Sequence, residues 1–190
     1  MLFTYKQFEF CLYCFKKSSD YFKDEWSICH ISNSSNDNIY LKKKVLKSYL
    51  WGEKSLIICW EYNIIYSFSY SVPILYFNAC FDNGKLLSVN DIEILVHDVF
   101  KQQLQENKLG IFSQQEHPYT RTPFFILHPC KTENFLKPIV SISSNINPLV
   151  TWLSAIAPVV DLNIDPRYGT VCFNKEKFDS LSNNINHSEI

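Results

Sequence analysis

Two hydrophobic periods alternate along this chain. Near the start, Phe8, Cys11, Leu12 and Phe15 recur at helical spacing, and Lys16, Lys17 and Ser18 close the segment, so the pattern predicts an amphipathic helix over residues 3–18. Ser32 to Asn38 is rich in Ser and Asn and reads as a polar loop. From Tyr40 to Lys47 the chain reads as a strand with its basic residues on one side. Between Ser55 and Tyr70 the period becomes two. Tyr62, Ile64, Tyr66, Phe68 and Tyr70 alternate with Asn63, Ile65, Ser67 and Ser69, as a half-buried strand requires.

Val72 to Phe81 is a further apolar run, with Pro73 near its start, where a strand best tolerates a missing donor. Asp82-Asn83-Gly84 supplies turn residues to end it. Ser88 and Asp91 stand three apart as a helix cap, followed by Ile92, Leu95, Val96, Val99 and Phe100 on one helical face. Pro123-Phe124-Phe125-Ile126-Leu127 predicts a short buried strand. Asn147-Pro148 predicts a capped helix start that runs through Leu149, Trp152, Leu153 and Ile156. Helix, antiparallel strands, then helices is the order of an α+β domain. A chain of 190 residues is near one ordinary domain, placed here at residues 1–178, with 179–190 as a polar, flexible tail.

Composition narrows the partners. Hydrophobic residues make up 46% of the chain, enough for a sizeable core and outside the disordered range. The net charge of −1 gives no broad electrostatic footprint for nucleic acid or for an anionic membrane. The first residues carry Lys6 and Glu9 inside the apolar stretch, so no signal-peptide core forms. The apolar stretch from Pro148 to Val160 is far short of the ~20 residues that span a bilayer. The expectation is a cytoplasmic protein without a membrane anchor. Its seven cysteines are then thiols, and one of them is available as a nucleophile.

Cys130 stands out by position. It follows an apolar strand and a proline, and it precedes Lys131-Thr132-Glu133-Asn134-Phe135, which reads as a helix start. A cation and a helix N-terminus both favour the thiolate, which is the nucleophilic form. On residue chemistry alone, a buried structural cysteine is the commoner occupant of such a position. Cys11-x-x-Cys14 has half the spacing of a zinc site, and Cys29-His30 offers further ligands. No second pair has the required spacing, and Cys11 lies on an apolar helix face, so core packing is the better reading.

The segments Gln114-Gln115-Glu116-His117-Pro118 and Pro123-Phe124-Phe125-Ile126-Leu127-His128-Pro129-Cys130-Lys131-Thr132 resemble the catalytic region of the autophagy-related protein ten family. The likeness continues through Glu61-Tyr62, Tyr66-Ser67 and Val72-Pro73-Ile74-Leu75-Tyr76-Phe77 upstream. Downstream it takes in Trp152-Leu153-Ser154 and Pro158-Val159-Val160, and in all it covers roughly residues 55–165. The resemblance implies a core similar to ubiquitin-conjugating enzymes, with an antiparallel sheet and flanking helices. It also implies that Cys130 takes a ubiquitin-like modifier, autophagy protein twelve, from the activating enzyme, autophagy protein seven. A lysine of autophagy protein five then accepts it. No metal, nucleotide or other cofactor is implied at this stage, in keeping with the absence of a Gly-rich phosphate loop.

Ordinary ubiquitin-conjugating enzymes place an Asn after a His-Pro several residues before the cysteine. Here Cys130 follows His128-Pro129 directly, so that Asn has no match by motif, and Asn78 and Asn134 are candidates for oxyanion stabilisation. His128 and His117, each next to a proline, read as turn residues and not as general bases. Three other readings compete. One is the sister autophagy conjugating enzyme, autophagy-related protein three, which acts on phosphatidylethanolamine. The others are a non-catalytic modifier-binding adaptor and a cysteine hydrolase. The sequence has neither the long acidic insertion of the sister enzyme nor a hydrolase signature around Cys130.

Overall fold

The computed structural model describes residues 4–33, 36–95, 112–127 and 145–182. Helix α1 (Tyr5–Phe22) opens on a reciprocal cap, in which Thr4 Oγ1 accepts from the Gln7 N–H and Gln7 Oε1 accepts from the Thr4 N–H. Phe8, Cys11, Leu12 and Phe15 are buried together, as the spacing predicts. The helix does not stop at Ser18. Ser18 donates back to the Cys14 carbonyl and Ser19 accepts from the Trp26 N–H, so both serines are satisfied inside the fold. The end comes instead at Lys23, whose left-handed backbone (φ 58°) returns its N–H to Asp20 and Ser19.

Strands β1 (Ser27–Asn33), β2 (Asn36–Trp51), β3 (Lys54–Ser67), β4 (Val72–Phe81), β5 (Phe112–Glu116) and β6 (Pro123–Leu127) form one antiparallel sheet in the order β1-β2-β3-β4-β6-β5. This is the α+β architecture expected from the pattern. Within the stretch expected to be a polar loop, Ser32, Asn33 and Asn36 to Asn38 are instead strand residues of β1 and β2, paired in the register that starts at Ser27↔Lys42. Pairing supplies the backbone partners there, so weak side-chain periodicity does not prevent strand formation.

β3 also departs from expectation, because its second half is covered on both faces. Tyr62, Ile64 and Tyr66 face the main core, while Asn63 (1% exposed) and Ile65 (2%) lie under a second cluster formed with Tyr40, Ile74, Tyr76, Phe124 and Ile126. The strand pairs with β2 on one side and β4 on the other, which removes any free edge for strand addition by a partner. It ends at Ser67, and Phe68 and Tyr70 lie exposed in the turn that follows.

Gly84 (φ 82°) closes the turn after β4, and the Ser88–Asp91 cap opens α2 (Val89–Leu95), with Ile92 buried. The continuation through Val96, Val99 and Phe100 lies outside the described residues. Asn147 caps α3 (Pro148–Ile156) and its side-chain N–H donates to the Cys11 carbonyl at 2.7 Å, joining α3 to α1. A 3-10 turn (Ala157–Val160), another (Pro166–Thr170) and α4 (Lys175–Ser180) complete the helical layer, in which Trp152, Leu153, Tyr168 and Phe178 are buried. Among the described residues, no helix is long and apolar enough to cross a membrane.

Candidate functional site

β6 is the strand that leads to Cys130. Phe125 packs on Phe77 in the main core (ring centroids 5.8 Å apart), while Phe124 and Ile126 fill the opposite cluster, so consecutive residues of β6 anchor both layers. Tyr76↔Ile126 and Phe77↔Phe125 fix it to β4, and five pairs from Phe112↔Leu127 to Glu116↔Pro123 fix it to β5. The Asn78 side-chain N–H adds a clip to the Pro123 carbonyl at 2.8 Å. That bond gives Asn78 a structural task at the beginning of β6, the end away from Cys130. Cys130, His128, Pro129, Lys131 and Asn134 all lie outside the described residues.

The connection between β5 and β6 is built around His117, which is completely buried. Its Nδ1 accepts from the backbone N–H groups of Tyr119 (3.2 Å) and Thr120 (3.1 Å), and the backbone N–H of His117 donates to the Thr122 carbonyl at 2.8 Å. The rings of Phe124, Tyr40, Tyr76 and Tyr119 surround it at centroid distances of 5.0 to 5.9 Å. Burial pushes its pKa down to about 4. The imidazole is therefore neutral near pH 7, and because Nδ1 accepts, the proton sits on Nε2. Nε2 has no partner among the described residues, and neither has Asn63 Oδ1 on the same face of the sheet. With its basic nitrogen already occupied, His117 serves as a turn anchor, in agreement with the sequence reading.

Beside this cage, Glu61 pairs with Lys42 (2.6 Å) and Lys44 (3.1 Å), and Asn63 donates to it at 3.4 Å. Burial alone would raise the Glu61 pKa, but the two ammonium groups outweigh it and hold the carboxyl below its usual range. On the helical side, Asp161 (φ 54°) accepts from Tyr49 Oη and pairs with Lys47 at 2.9 Å. Tyr49 in turn accepts from Trp60 Nε1 at 2.7 Å, and Tyr62 donates to the Val160 carbonyl at 2.9 Å. These bonds seat Pro158-Val159-Val160 over β2 and β3. None of them was legible in the sequence, since Tyr49 and Asp161 are 112 residues apart.

Cys11 is buried in the main core, with its pKa raised well above the ordinary thiol value by burial. Among the described residues no cluster of His, Cys, Asp and Glu is arranged to hold a metal ion.

Residues 7–167 match a family described as autophagocytosis associated protein, active-site domain. Three proteins named ubiquitin-like-conjugating enzyme ATG10 are similar to the chain. The human one is 41% identical over 127 residues, which is 65% of this chain and 58% of the relative. The Arabidopsis thaliana one is 37% identical over 112 residues (55% and 50%), and the Dictyostelium discoideum one 33% identical over 144 residues (67% and 56%). The matched stretch thus spans between 50% and 58% of these relatives.

Proposed function

This chain belongs to the autophagocytosis-associated active-site domain family and groups with its ATG10 members, and on that premise we propose that it is a ubiquitin-like-protein conjugating enzyme with Cys130 as its carrier. The supporting observation is that the family match includes a strand, β6, fixed on both sides and in both layers and running straight into His128-Pro129-Cys130. A nucleophile needs such a base, since catalysis by positioning depends on sub-ångström placement.

In the first step the Cys130 thiolate attacks the thioester carbonyl on the activating enzyme, autophagy protein seven. The activating enzyme's cysteine leaves as its thiolate, and the modifier, autophagy protein twelve, is carried on Cys130. In the second step the neutral amine of a lysine on autophagy protein five adds to the new thioester, loses a proton and expels the Cys130 thiolate. An isopeptide bond remains. ATP is consumed upstream by the activating enzyme, so neither step needs a nucleotide. The reading places this chemistry in the cytoplasm on a single domain. Lysine transfer takes precedence over the lipid-directed sister reaction because all three relatives carry the ATG10 name.

The test mixes the chain with activating enzyme, ATP and modifier and compares wild type with Cys130→Ser on reducing and non-reducing gels. A thiol-sensitive adduct on wild type, absent or converted to a thiol-resistant ester in Cys130→Ser, is the expected result. An unchanged adduct in the variant would assign the carrier to another cysteine; no charging of either protein would favour an adaptor.

A further inference from the structure

On the outer face of the sheet, at the end opposite the exit of β6, Cys59 of β3 stands directly across from Cys80 of β4. The hydrogen-bond parity of β4 settles the type of pair. Leu87 N–H donates to the Ala79 carbonyl and Phe81 N–H donates to the Lys85 carbonyl, so the backbone groups of Ala79 and Phe81 point away from β3. Those of Cys80 therefore point toward Cys59. In an antiparallel pair of this kind the Cα atoms are about 5.5 Å apart. That is within the roughly 4.4–6.8 Å that a disulfide spans.

Both cysteines are free thiols and both are partly exposed. Burial raises the Cys80 pKa, and the neighbouring Cys59 raises it further. The Lys44 ammonium, bound to Glu61 two positions along the ladder, opposes that rise, while the Glu61 carboxylate adds to it. The remaining described cysteines are differently placed. Cys11 and Cys14 sit one turn apart on a packed helix with Cys11 fully buried, Cys29 faces Tyr40, and Cys172 is on the surface.

We propose that Cys59 and Cys80 form a reversible dithiol–disulfide site, closed by a hydroperoxide and reopened by a small thiol of the glutathione class. The thiolate of one cysteine attacks the peroxide oxygen and breaks the O–O bond; it becomes a sulfenic acid as hydroxide leaves. The second thiolate attacks that sulfenyl sulfur and forms the S–S bond. Hydroxide departs and takes up a proton as water. Two thiols lose two electrons and two protons, and one hydrogen peroxide becomes two waters. Side chains of directly opposed residues have Cβ atoms somewhat farther apart than a relaxed disulfide prefers, so the strands must pinch to close it. A bond made under that constraint is the readily reduced kind, which suits a reversible site.

The test uses the reduced full-length chain treated with hydrogen peroxide, blocked with N-ethylmaleimide and digested without reductant for mass spectrometry. The expected result is a peptide containing Cys59 bonded to one containing Cys80, a loss of about 2 Da with no other change at these residues, and full return of maleimide labelling after reduced glutathione. In Cys80→Ser the cross-link vanishes and Cys59 accumulates as sulfenic acid. In Cys130→Ser the cross-link forms at the wild-type rate. Retained maleimide labelling of both residues while Cys172 is oxidised would overturn the proposal, as would a bond from either to a different cysteine. A rate that falls in Cys130→Ser would also overturn it, because the oxidant would then enter through Cys130.

Discussion

Protonation of His117 should destabilise the fold, and the size of the effect follows from its surroundings. The unfolded chain titrates this residue near the ordinary value of about 6.5. In the fold, burial among Phe124, Tyr40, Tyr76 and Tyr119 brings it down to about 4. A lowered histidine pKa means that the unfolded state binds the proton first. The stabilisation is therefore complete above about pH 6.5 and is lost as pH falls through the window from 6.5 to 4. By linkage the loss reaches about 2 kcal/mol at pH 5, and at most about 3 kcal/mol at lower pH. His117→Asn is the informative comparison, because an Asn carbonyl at the start of a turn can accept from N–H groups two and three residues on, as Nδ1 does here for Tyr119 and Thr120. The variant lacks the ring and should be weaker at pH 7.5 by roughly 1–3 kcal/mol through lost packing. It should also lack the acid-dependent term. Urea unfolding of both proteins at intervals between pH 7.5 and 4.5 measures the difference, with other titrating groups cancelling between them. The wild-type advantage should shrink steadily below pH 6.5. Parallel curves across that range would refute the buried, neutral assignment.

Asn78→Ala should cost about 1 kcal/mol in urea unfolding by removing the clip on Pro123, while thioester charging and lysine transfer persist. A complete loss of transfer with folding intact would return Asn78 to the oxyanion role. Tyr49→Phe removes the donor to Asp161 and the acceptor for Trp60 Nε1 together, and should lower stability by about 2 kcal/mol in thermal melts. Unchanged melting would mean that the link between the 157–161 segment and the sheet carries no energy. Glu61→Gln leaves Lys42 and Lys44 side by side without their carboxylate. A cost near 1 kcal/mol that shrinks in high salt is expected in urea titrations at two ionic strengths, and salt independence would contradict the electrostatic account.

The sequence by itself determined those elements whose signals are local. Pro123–Leu127 and Val72–Phe81 emerge with the bounds that their apolar runs mark. The caps at Ser88 and Asn147 and the turn at Asp82-Asn83-Gly84 fall where side-chain chemistry puts them. The family resemblance and the choice of Cys130 as candidate nucleophile came from contiguous motifs as well. What tertiary structure decided depended on partners remote in the chain. β1 is a strand because β2 pairs with it, and α1 runs past Lys16 and Lys17 because Ser19 is satisfied by Trp26. Asn63 and Ile65 are buried because the β5–β6 turn folds His117 over that face of the sheet, which no two-residue period in β3 encodes. The same holds for Cys59 and Cys80, twenty-one positions apart by residue number and unremarkable one by one, which only the β3–β4 register brings face to face. Local periodicity records which way a side chain points along its own element; which surface it meets is fixed only when the elements assemble.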